Sequence, residues 1–249
     1  MDLRETGEQP RHPWELARLE FFVAALRRHG LLGRPVSLLD VGSGDAWFSS
    51  QVAGLLPAGS HISCLDAGYD EATLQRLQEQ VPPMLSLHRE PPPGQFDAVV
   101  LLDVLEHVAD DRGFLQSIVA SSLRPGGLAV ISVPAWQALF TQHDTFLHHH
   151  RRYSPALARQ VTKAAGLQLL ESGGLFHSLL LPRALGKLRE AALGAAEDTT
   201  PSIAWNHGPL LTKAVLGALQ VDGAVSQLLA RTGLSVPGLS WWAVGQKLV

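Results

Sequence analysis

Short apolar runs alternate with amphipathic segments along most of the chain after residue 35. The apolar runs end at glycine, proline or polar residues, as the strands of a sheet do. They predict seven strands, which are 36–42, 61–67, 84–89, 96–105, 128–134, 167–173 and 240–248. The run at 96–105, FDAVVLLDVL, is almost wholly apolar and indicates a strand buried on both faces of its sheet.

Segments with helical spacing separate these strands. Leu74, Leu77 and Val81 share one face of the segment 70–81, and Asp70 is a favourable N-cap for it. The predicted helices are 45–56, 70–81, 110–123 and 155–166, and further helices are expected between residues 175 and 235. An alternation of strands and helices predicts an α/β fold with a parallel sheet and right-handed crossovers.

The chain has no internal repeat and no low-complexity linker, so we expect one α/β domain. We divide it into an N-terminal covering helix (1–35), a core domain (36–174 and 236–249) and a helical insertion (175–235). The insertion precedes the last predicted strand, which therefore lies far along the chain from the other six.

Composition excludes several classes of protein. Hydrophobic residues make up 46% of the chain and charged residues 17%, which is enough apolar side chain for a buried core. The net charge of -3 provides no basic surface for nucleic acid, so no nucleic-acid partner is expected. The single cysteine, Cys64, precludes a disulfide within the chain and favours a reducing compartment.

No export signal and no membrane span are predicted. Residues 1–13 lack the apolar stretch of a signal peptide, and no apolar run reaches the ~18 residues of a transmembrane helix. Two apolar stretches with basic flanks, 174–186 and 208–221, are compatible with a helix lying on a membrane surface. Packing on the domain is the simpler interpretation, and we expect a cytoplasmic protein.

The first predicted strand ends in a glycine-rich turn, LLDVGSGDAWF (38–48). Gly42 and Gly44 allow a tight turn into a helix whose first N–H groups are free. A dinucleotide site would need glycine where Trp47 stands, and no G-x-x-x-x-G-K-[ST] motif is present. An acid before the glycines, Asp40, instead suits a phosphate-free cofactor with positive charges and an amino-acid end, such as S-adenosylmethionine. Asp66, after the second strand, can accept hydrogen bonds from both hydroxyls of a ribose.

Four segments occur in order along the chain: LLDVGSGDAWFS, CLDA, FDAVVLLDVLEHVADD and LRPGGLAVISVP. Together they resemble class I S-adenosylmethionine-dependent methyltransferases, most closely the bacterial small-molecule type called methyltransferase type 11 or 12. The resemblance covers residues 12–186 and the last strand. It implies a Rossmann-like, doubly wound, mostly parallel seven-stranded sheet with an antiparallel last strand. It also implies S-adenosylmethionine as methyl donor and S-adenosylhomocysteine as product.

The resemblance further implies which residues hold the cofactor. The position of Asp103, at the end of the fourth strand, lines the methionine end of the cofactor in this family. The full predicted set is Asp40, Gly42, Ser43, Gly44, Asp66, Ala67, Asp103, Val104 and His107.

Two positions depart from the family pattern. Ala46 replaces the third glycine of the loop, and no acid follows the third strand to hold the adenine amino group, where Arg89 or Glu90 is the available substitute. These departures would suit a second hypothesis, a cofactor-binding scaffold that no longer transfers methyl groups. The retained Asp40 and Asp66 argue against that hypothesis.

The stretch HDTFLHHHRRYS (143–154) follows the fifth strand, so it starts at the sheet edge that holds the cofactor. Similar methyltransferases carry H-D-x4-H-x-R-R-Y there. Histidine, with an ordinary pKa of about 6.5, can take a proton from a hydroxyl or amine acceptor. We therefore predict His143 as the base and Asp144 as its orienting or co-basic partner. The predicted catalytic residues are His143, Asp144, His149 and Tyr153.

Four further residues are expected to bind the methyl acceptor. Trp14 and Arg18 belong to the N-terminal covering helix, while Arg151 and Arg152 follow the histidines. An arginine fork can bind an anionic acceptor, although a structural ion pair for at least one arginine is equally compatible. The insertion 175–235 is expected to form an acceptor-side cap or an oligomer surface, in a monomer or homodimer.

A metal-dependent interpretation uses Asp103, Glu106 and His107 from DVLEH, completed by His143 or His149. Some RNA methyltransferases have a similar acid–acid–histidine arrangement, but LEHV is also common in similar methyltransferases that need no metal. We therefore predict a metal-free enzyme with a small-molecule acceptor, lipid-like or a glycan precursor, methylated on oxygen. Metal-dependent RNA methylation is the less favoured alternative.

Overall fold

The computed structural model describes residues 11–193, 205 and 207–248. Its strands are β1 (Ser37–Val41), β2 (His61–Leu65), β3 (Leu85–His88), β4 (Phe96–Leu102), β5 (Leu123–Pro134), β6 (Leu167–Leu175) and β7 (Ser240–Lys247). They form one seven-stranded sheet in the order β3-β2-β1-β4-β5-β7-β6. The strand β7 is antiparallel to β5 and β6, and the other neighbouring strands pair in parallel. The predicted fold class is confirmed.

Eight α-helices connect or cover these strands in the described part of the chain. They are α1 (Pro13–Arg28), α2 (Trp47–Ala53), α3 (Glu71–Gln78), α4 (Asp111–Ser122), α5 (Gln142–Phe146), α6 (Pro155–Ala164), α7 (Leu180–Leu193) and α8 (Pro209–Arg231). Capping side chains fix where several begin. Asp70 accepts from the N–H of Thr73 at 2.8 Å before α3, and Ser154 accepts from the N–H of Leu157 at 3.1 Å before α6.

Successive residues of each strand point to opposite faces of the sheet, and helices cover both faces. Leu38 and Trp242 pack with α1 and α8 on one face. Leu39 and Trp241 pack with α4 and α6 on the other. Because both faces are buried, the central strands need apolar side chains at nearly every position, which explains the continuous apolar run of β4.

The structure differs from the predicted elements at two places. β5 begins at Leu123 rather than 128, because Leu123 pairs with Phe96 before a register shift accommodates the residues that follow. The residues 142–146, inside the histidine-rich stretch, form the short helix α5. The predicted helices between 175 and 235 are present as α7 and α8. Residues 1–10, 194–204 and 206 lie outside the described part of the chain.

The two helices of the insertion are packed differently. Ser226 of α8 donates to the carbonyl of Gly174 at 2.5 Å and accepts from Trp242 Nε1 at 2.8 Å, so α8 is fixed to β6 and β7. By contrast, α7 exposes large apolar side chains such as Leu181 and Leu188. None of the helices within the described ranges is long and apolar enough to cross a membrane.

Gly174 lies where β6 meets the segment that leads into β7. A Cβ atom at this position would clash with the backbone of Val236 and Gly238, so the segment before β7 would have to move. We expect Gly174→Ala to lower the free energy of unfolding by about 3 kcal/mol, the upper part of the range for overpacking. Gly186→Ala is the control, because nothing lies within 4 Å of that Cβ and alanine favours the helix α7 by roughly 0.5–1 kcal/mol. Urea unfolding of both variants measures the difference, and equal stability would contradict the predicted clash.

Candidate active site

A cavity of about 480 Å³ opens at the sheet edge where β1, β4 and β5 end and β7 begins. Its size is typical of small-molecule sites. The predicted residues in its wall are Trp14, Arg18, Asp40, Gly42, Ser43, Gly44, Asp103, His107, His143, His149 and Arg152. The predicted residues outside its wall are Asp66, Ala67, Val104, Asp144, Arg151 and Tyr153. The structure thus brings together residues from the N-terminal helix, the glycine loop, the end of β4 and the histidine-rich stretch.

The glycine loop after β1 owes its shape to left-handed backbone. Gly42 has φ +73° and Gly44 has φ +55°, a region that residues with a Cβ seldom adopt. Ala46, which stands where the family pattern has glycine, also has left-handed backbone, with φ +56°. The Gly42 N–H donates to the carbonyl of Leu65 at 2.7 Å, so the loop is fixed against the end of β2.

Asp66 also holds the glycine loop. Its Oδ2 accepts from the Gly44 N–H and its Oδ1 from the Gly68 N–H, both at 2.8 Å, and the side chain is buried. Each carboxylate oxygen keeps a further lone pair for another donor. The contact of Asp66 with a ribose therefore stays a prediction.

Asp40 is buried beneath the loop and borders the cavity. Burial raises the pKa of its carboxyl to about 7, although a hydrogen bond from Ser49 Oγ at 2.7 Å and the charge of Arg18 oppose this rise. A carboxylate so poorly solvated gains most from a cationic group of a ligand. At the cavity wall, this carboxylate fits the ammonium of S-adenosylmethionine.

The pKa of Asp40 has a consequence for stability. Between the ordinary value of 3.8 and about 7, the folded protein keeps a proton on Asp40 that the unfolded chain releases. Raising the pH through this interval therefore destabilises the wild-type protein relative to Asp40→Asn, which carries no charge. We expect the stability of Asp40→Asn relative to the wild type to rise by roughly 3 kcal/mol between pH 4.5 and pH 8.

Urea unfolding of both proteins at a series of pH values measures this difference. The other titrating groups affect the stability of both proteins equally, so their contributions cancel when the two are subtracted. Asparagine retains an oxygen to accept from Ser49 Oγ, so the variant preserves the local hydrogen bond. A stability difference that does not change with pH would show that Asp40 ionises normally.

The helix α1 and the residues just before it cover the cavity through two ion pairs. Arg18 pairs with Asp103, and its guanidinium lies 4.5 Å from the centroid of the Trp14 ring. Arg11 pairs with Asp45 of the glycine loop at 2.5 Å. Trp14 and Arg18 therefore lie where the sequence predicts, whereas Arg11 and Asp45 are members of the wall that no sequence pattern indicated.

Residues 141–153, which we call the lid, are organised around the fully buried carboxylate of Asp144. It accepts hydrogen bonds from the Thr141 N–H at 2.9 Å, Arg152 Nε at 2.7 Å and Arg183 Nη2 at 2.6 Å, and contacts His149 Nδ1 at 3.0 Å. Burial alone would raise the pKa of Asp144, but the hydrogen bond with His149 and the charge of Arg152 outweigh it and hold the pKa well below its ordinary value. Asp144 is the anionic centre of the lid.

The predicted pairing of His143 with Asp144 is wrong, because the carboxylate of Asp144 faces His149 instead. Consecutive side chains of a helix point in different directions, so Asp144 turns away from its neighbour on α5. His143 lines the cavity, where burial and the charge of Arg183 lower its pKa. Its imidazole is therefore neutral near pH 7 and can accept a proton.

Two other predicted residues face away from the cavity. The Tyr153 hydroxyl donates to Asp111 Oδ2 at 2.6 Å, and Arg151 pairs with the same carboxylate at 2.8 Å. Tyr153 is fully buried in the layer formed with α4 and α6. A buried and hydrogen-bonded hydroxyl cannot reach an acceptor in the cavity, so the structure corrects the catalytic prediction for Tyr153 and the substrate-binding prediction for Arg151. Arg152 reaches the wall but is buried against Asp144, which makes its role structural.

The turn Leu105–His107 after β4 places a carboxylate beside two imidazoles. One nitrogen or oxygen atom from each of Glu106, His107 and His149 lies within 4.8 Å of the others. Burial raises the pKa of Glu106 well above its ordinary value, and burial lowers the pKa of His107 to about 4. The metal set considered from the sequence also contained Asp103, but that carboxylate pairs with Arg18.

Apolar side chains from the turn after β6 and from the residue before β7 complete the cavity, and no motif identified them. Phe176, Leu179 and Leu239 add apolar surface to the wall. Arg89, considered as an adenine contact, pairs instead with Glu71 at 3.0 Å on the surface.

Comparison with known proteins agrees with this geometry. A family model described as a methyltransferase domain matches residues 13–172. The ubiquinone biosynthesis O-methyltransferase of Xanthomonas euvesicatoria pv. vesicatoria (strain 85-10) is 28% identical over 192 residues, 68% of this chain and 76% of that protein. The protein of the same name from Aeromonas salmonicida (strain A449) is 26% identical over 193 residues, 69% of this chain and 78% of that protein.

The fold is also shared with a solved structure. The 1,6-didemethyltoxoflavin-N1-methyltransferase of Burkholderia thailandensis, with 1,6-didemethyltoxoflavin and S-adenosylhomocysteine bound, has a TM-score of 0.51 at 14% identity, over 99% of this chain and 94% of that chain. The glycine loop, the buried acid beneath it and the matched family model point to one cofactor, S-adenosylmethionine. The chain belongs to the methyltransferase domain family and is a class I S-adenosylmethionine-dependent methyltransferase.

Proposed function

We propose that the protein transfers the methyl group to an oxygen atom of a small-molecule acceptor, in the cytoplasm, as a monomer or homodimer and without a nucleic-acid partner. The observation that carries this proposal is that the glycine loop, Asp40 and the neutral imidazole of His143 border one cavity. The name of the relatives, O-methyltransferase, supports oxygen as the acceptor atom.

The cofactor, when bound, supplies an electrophilic methyl group on its sulfonium. We assign its ammonium to Asp40 and its ribose to Asp66. The N–H groups of Gly42, Ser43 and Gly44 donate to the Leu65 carbonyl and to Asp66, so they shape the loop. The α1 helix and the lid border the cavity, so with the acceptor bound they would exclude water, as methyl transfer between two aligned groups requires.

His143 is assigned as the base that takes the proton from the acceptor hydroxyl. A neutral imidazole in the cavity wall has the protonation state that this step needs. Asp144 does not border the cavity, so it is a positioning residue that holds the lid through Arg152 and Arg183.

The acceptor is assigned as an amphipathic hydroxylated compound, lipid-like or a glycan precursor. Its apolar part would lie against Leu147, Phe176, Leu179 and Leu239, which line the cavity together with the imidazoles. Because the relatives are named for ubiquinone biosynthesis, hydroxylated precursors of ubiquinone are the first compounds to test.

Calorimetric titration with S-adenosylmethionine and S-adenosylhomocysteine, followed by a screen of hydroxylated acceptors with radiolabelled methyl donor, tests the proposal. We expect binding of both cofactor forms and label on the oxygen of an amphipathic acceptor. Label found only on nitrogen or carbon would overturn the O-methylation. Binding without transfer to any acceptor would favour the scaffold hypothesis.

A further inference from the structure

Glu106, His107 and His149 form a cluster of ligand atoms in the wall of the cavity. Glu106 and His107 come from the turn after β4, and His149 comes from the lid, so the cluster joins two parts of the fold. The rings of His107 and His149 meet edge to face with centroids 4.7 Å apart.

The carboxylate of Glu106 is the unusual member of this cluster. It is 0% exposed, and neither oxygen has a hydrogen-bond partner among the residues that the structure describes. The two nearby arginines are committed elsewhere, Arg18 to Asp103 and Arg152 to Asp144. A buried carboxyl without a partner costs several kcal/mol whether it is ionised or protonated, and a bound cation would offset that cost.

His149 is held in the orientation of a metal ligand. Its Nδ1 lies 3.0 Å from Asp144 Oδ1, which leaves Nε2 free. A histidine that ligates a metal nearly always uses its other ring nitrogen in such a contact, because the carboxylate fixes the ring and its tautomer. Asp144 is itself fixed by Arg152 and Arg183, so this orientation is rigid.

We infer that Glu106, His107 and His149 bind one divalent transition-metal ion. One carboxylate oxygen and two imidazole nitrogens suit Zn²⁺, Fe²⁺ or Mn²⁺ better than Mg²⁺ or Ca²⁺, which prefer oxygen ligands. Three protein ligands leave coordination positions for water or an acceptor oxygen. The inference concerns ion binding alone and does not rest on the proposed acceptor or on O-methylation.

The test uses the full chain, treated with chelator and then dialysed. Calorimetric titrations with ZnCl₂, MnCl₂ and MgCl₂ compare the wild type with Glu106→Gln and His149→Ala. His150→Ala is the control, because that exposed histidine adjoins the cluster without belonging to it. We expect one Zn²⁺ or Mn²⁺ per chain, weaker Mg²⁺ binding, and a loss of about 100-fold or more in affinity for both cluster variants. His150→Ala should bind like the wild type.

Two further measurements complete the test, a Co²⁺ spectrum of the wild type and cofactor binding by every variant. Co²⁺ added to the wild-type protein should give a visible absorption spectrum of nitrogen and oxygen ligation, and Zn²⁺ should abolish it by displacement. Binding of S-adenosylhomocysteine is measured in the same samples, so a failed cofactor site and a failed metal site are distinguishable. No Zn²⁺ or Mn²⁺ binding tighter than millimolar, or equal binding by wild type and both cluster variants, would overturn the inference.

Discussion

Replacing His143 with alanine is expected to lower kcat by about 10²–10⁴-fold, the usual contribution of a general base. The affinity for S-adenosylmethionine should not change, because the assigned cofactor contacts come from Asp40 and Asp66. Single-turnover transfer assays measure the rate and calorimetry measures the affinity. A variant that keeps both the wild-type rate and the wild-type affinity would show that the acceptor loses its proton without His143.

Two further variants sharpen this experiment. His143→Gln keeps a polar side chain of similar length but cannot accept the proton, so it should be as slow as the alanine variant. His150→Ala changes an exposed histidine of the same lid and should keep the wild-type rate. Equal loss of rate in His143→Ala and His150→Ala would indicate a damaged lid rather than a lost base.

Asp144→Ala should lower the free energy of unfolding by about 3–5 kcal/mol, the cost of removing one partner of a buried ion pair. The substitution leaves the guanidinium of Arg152, which is 6% exposed, without its carboxylate, and also frees Arg183 and the N–H of Thr141. The lid should lose its fixed structure at the same time, since every one of these contacts joins a lid residue or α7 to Asp144. Urea unfolding followed by circular dichroism measures the loss.

Glu71→Ala is the matched control for this prediction. Glu71 also pairs with an arginine, at 3.0 Å, but its side chain is 91% exposed. Exposed pairs contribute only about 0–1 kcal/mol, so this variant should be close to the wild type. If Asp144→Ala were as stable as Glu71→Ala, the lid would not depend on its buried carboxylate.

The sheet could be predicted from the sequence because each central strand is buried on both faces, so its apolar residues follow one another directly along the chain. The helix α3 could be predicted from Leu77 and the N-cap Asp70 for the same local reason. The start of β5 could not, because the shift between Phe96 and Ala98 depends on pairing with a distant strand.

The site was predictable in its glycine loop and only partly in its lid. Sequence adjacency suggested that Asp144 orients His143, yet α5 ends at Phe146 and the chain then turns back, which brings His149 to Asp144. The contribution of Arg183 depends on how α7 packs near the lid, and no pattern around residue 144 contains that information.

The ends of the segment 175–235 lie side by side, since Leu175 pairs with Ser240 and Gly174 packs against the backbone of Val236 and Gly238. The segment is thus the connection of an antiparallel strand pair, and doubling the length of such a connection costs only about 0.6 kcal/mol of closure entropy. A change in the length of this connection therefore need not alter the register of the sheet, provided that α7 keeps Arg183 against Asp144 of the lid.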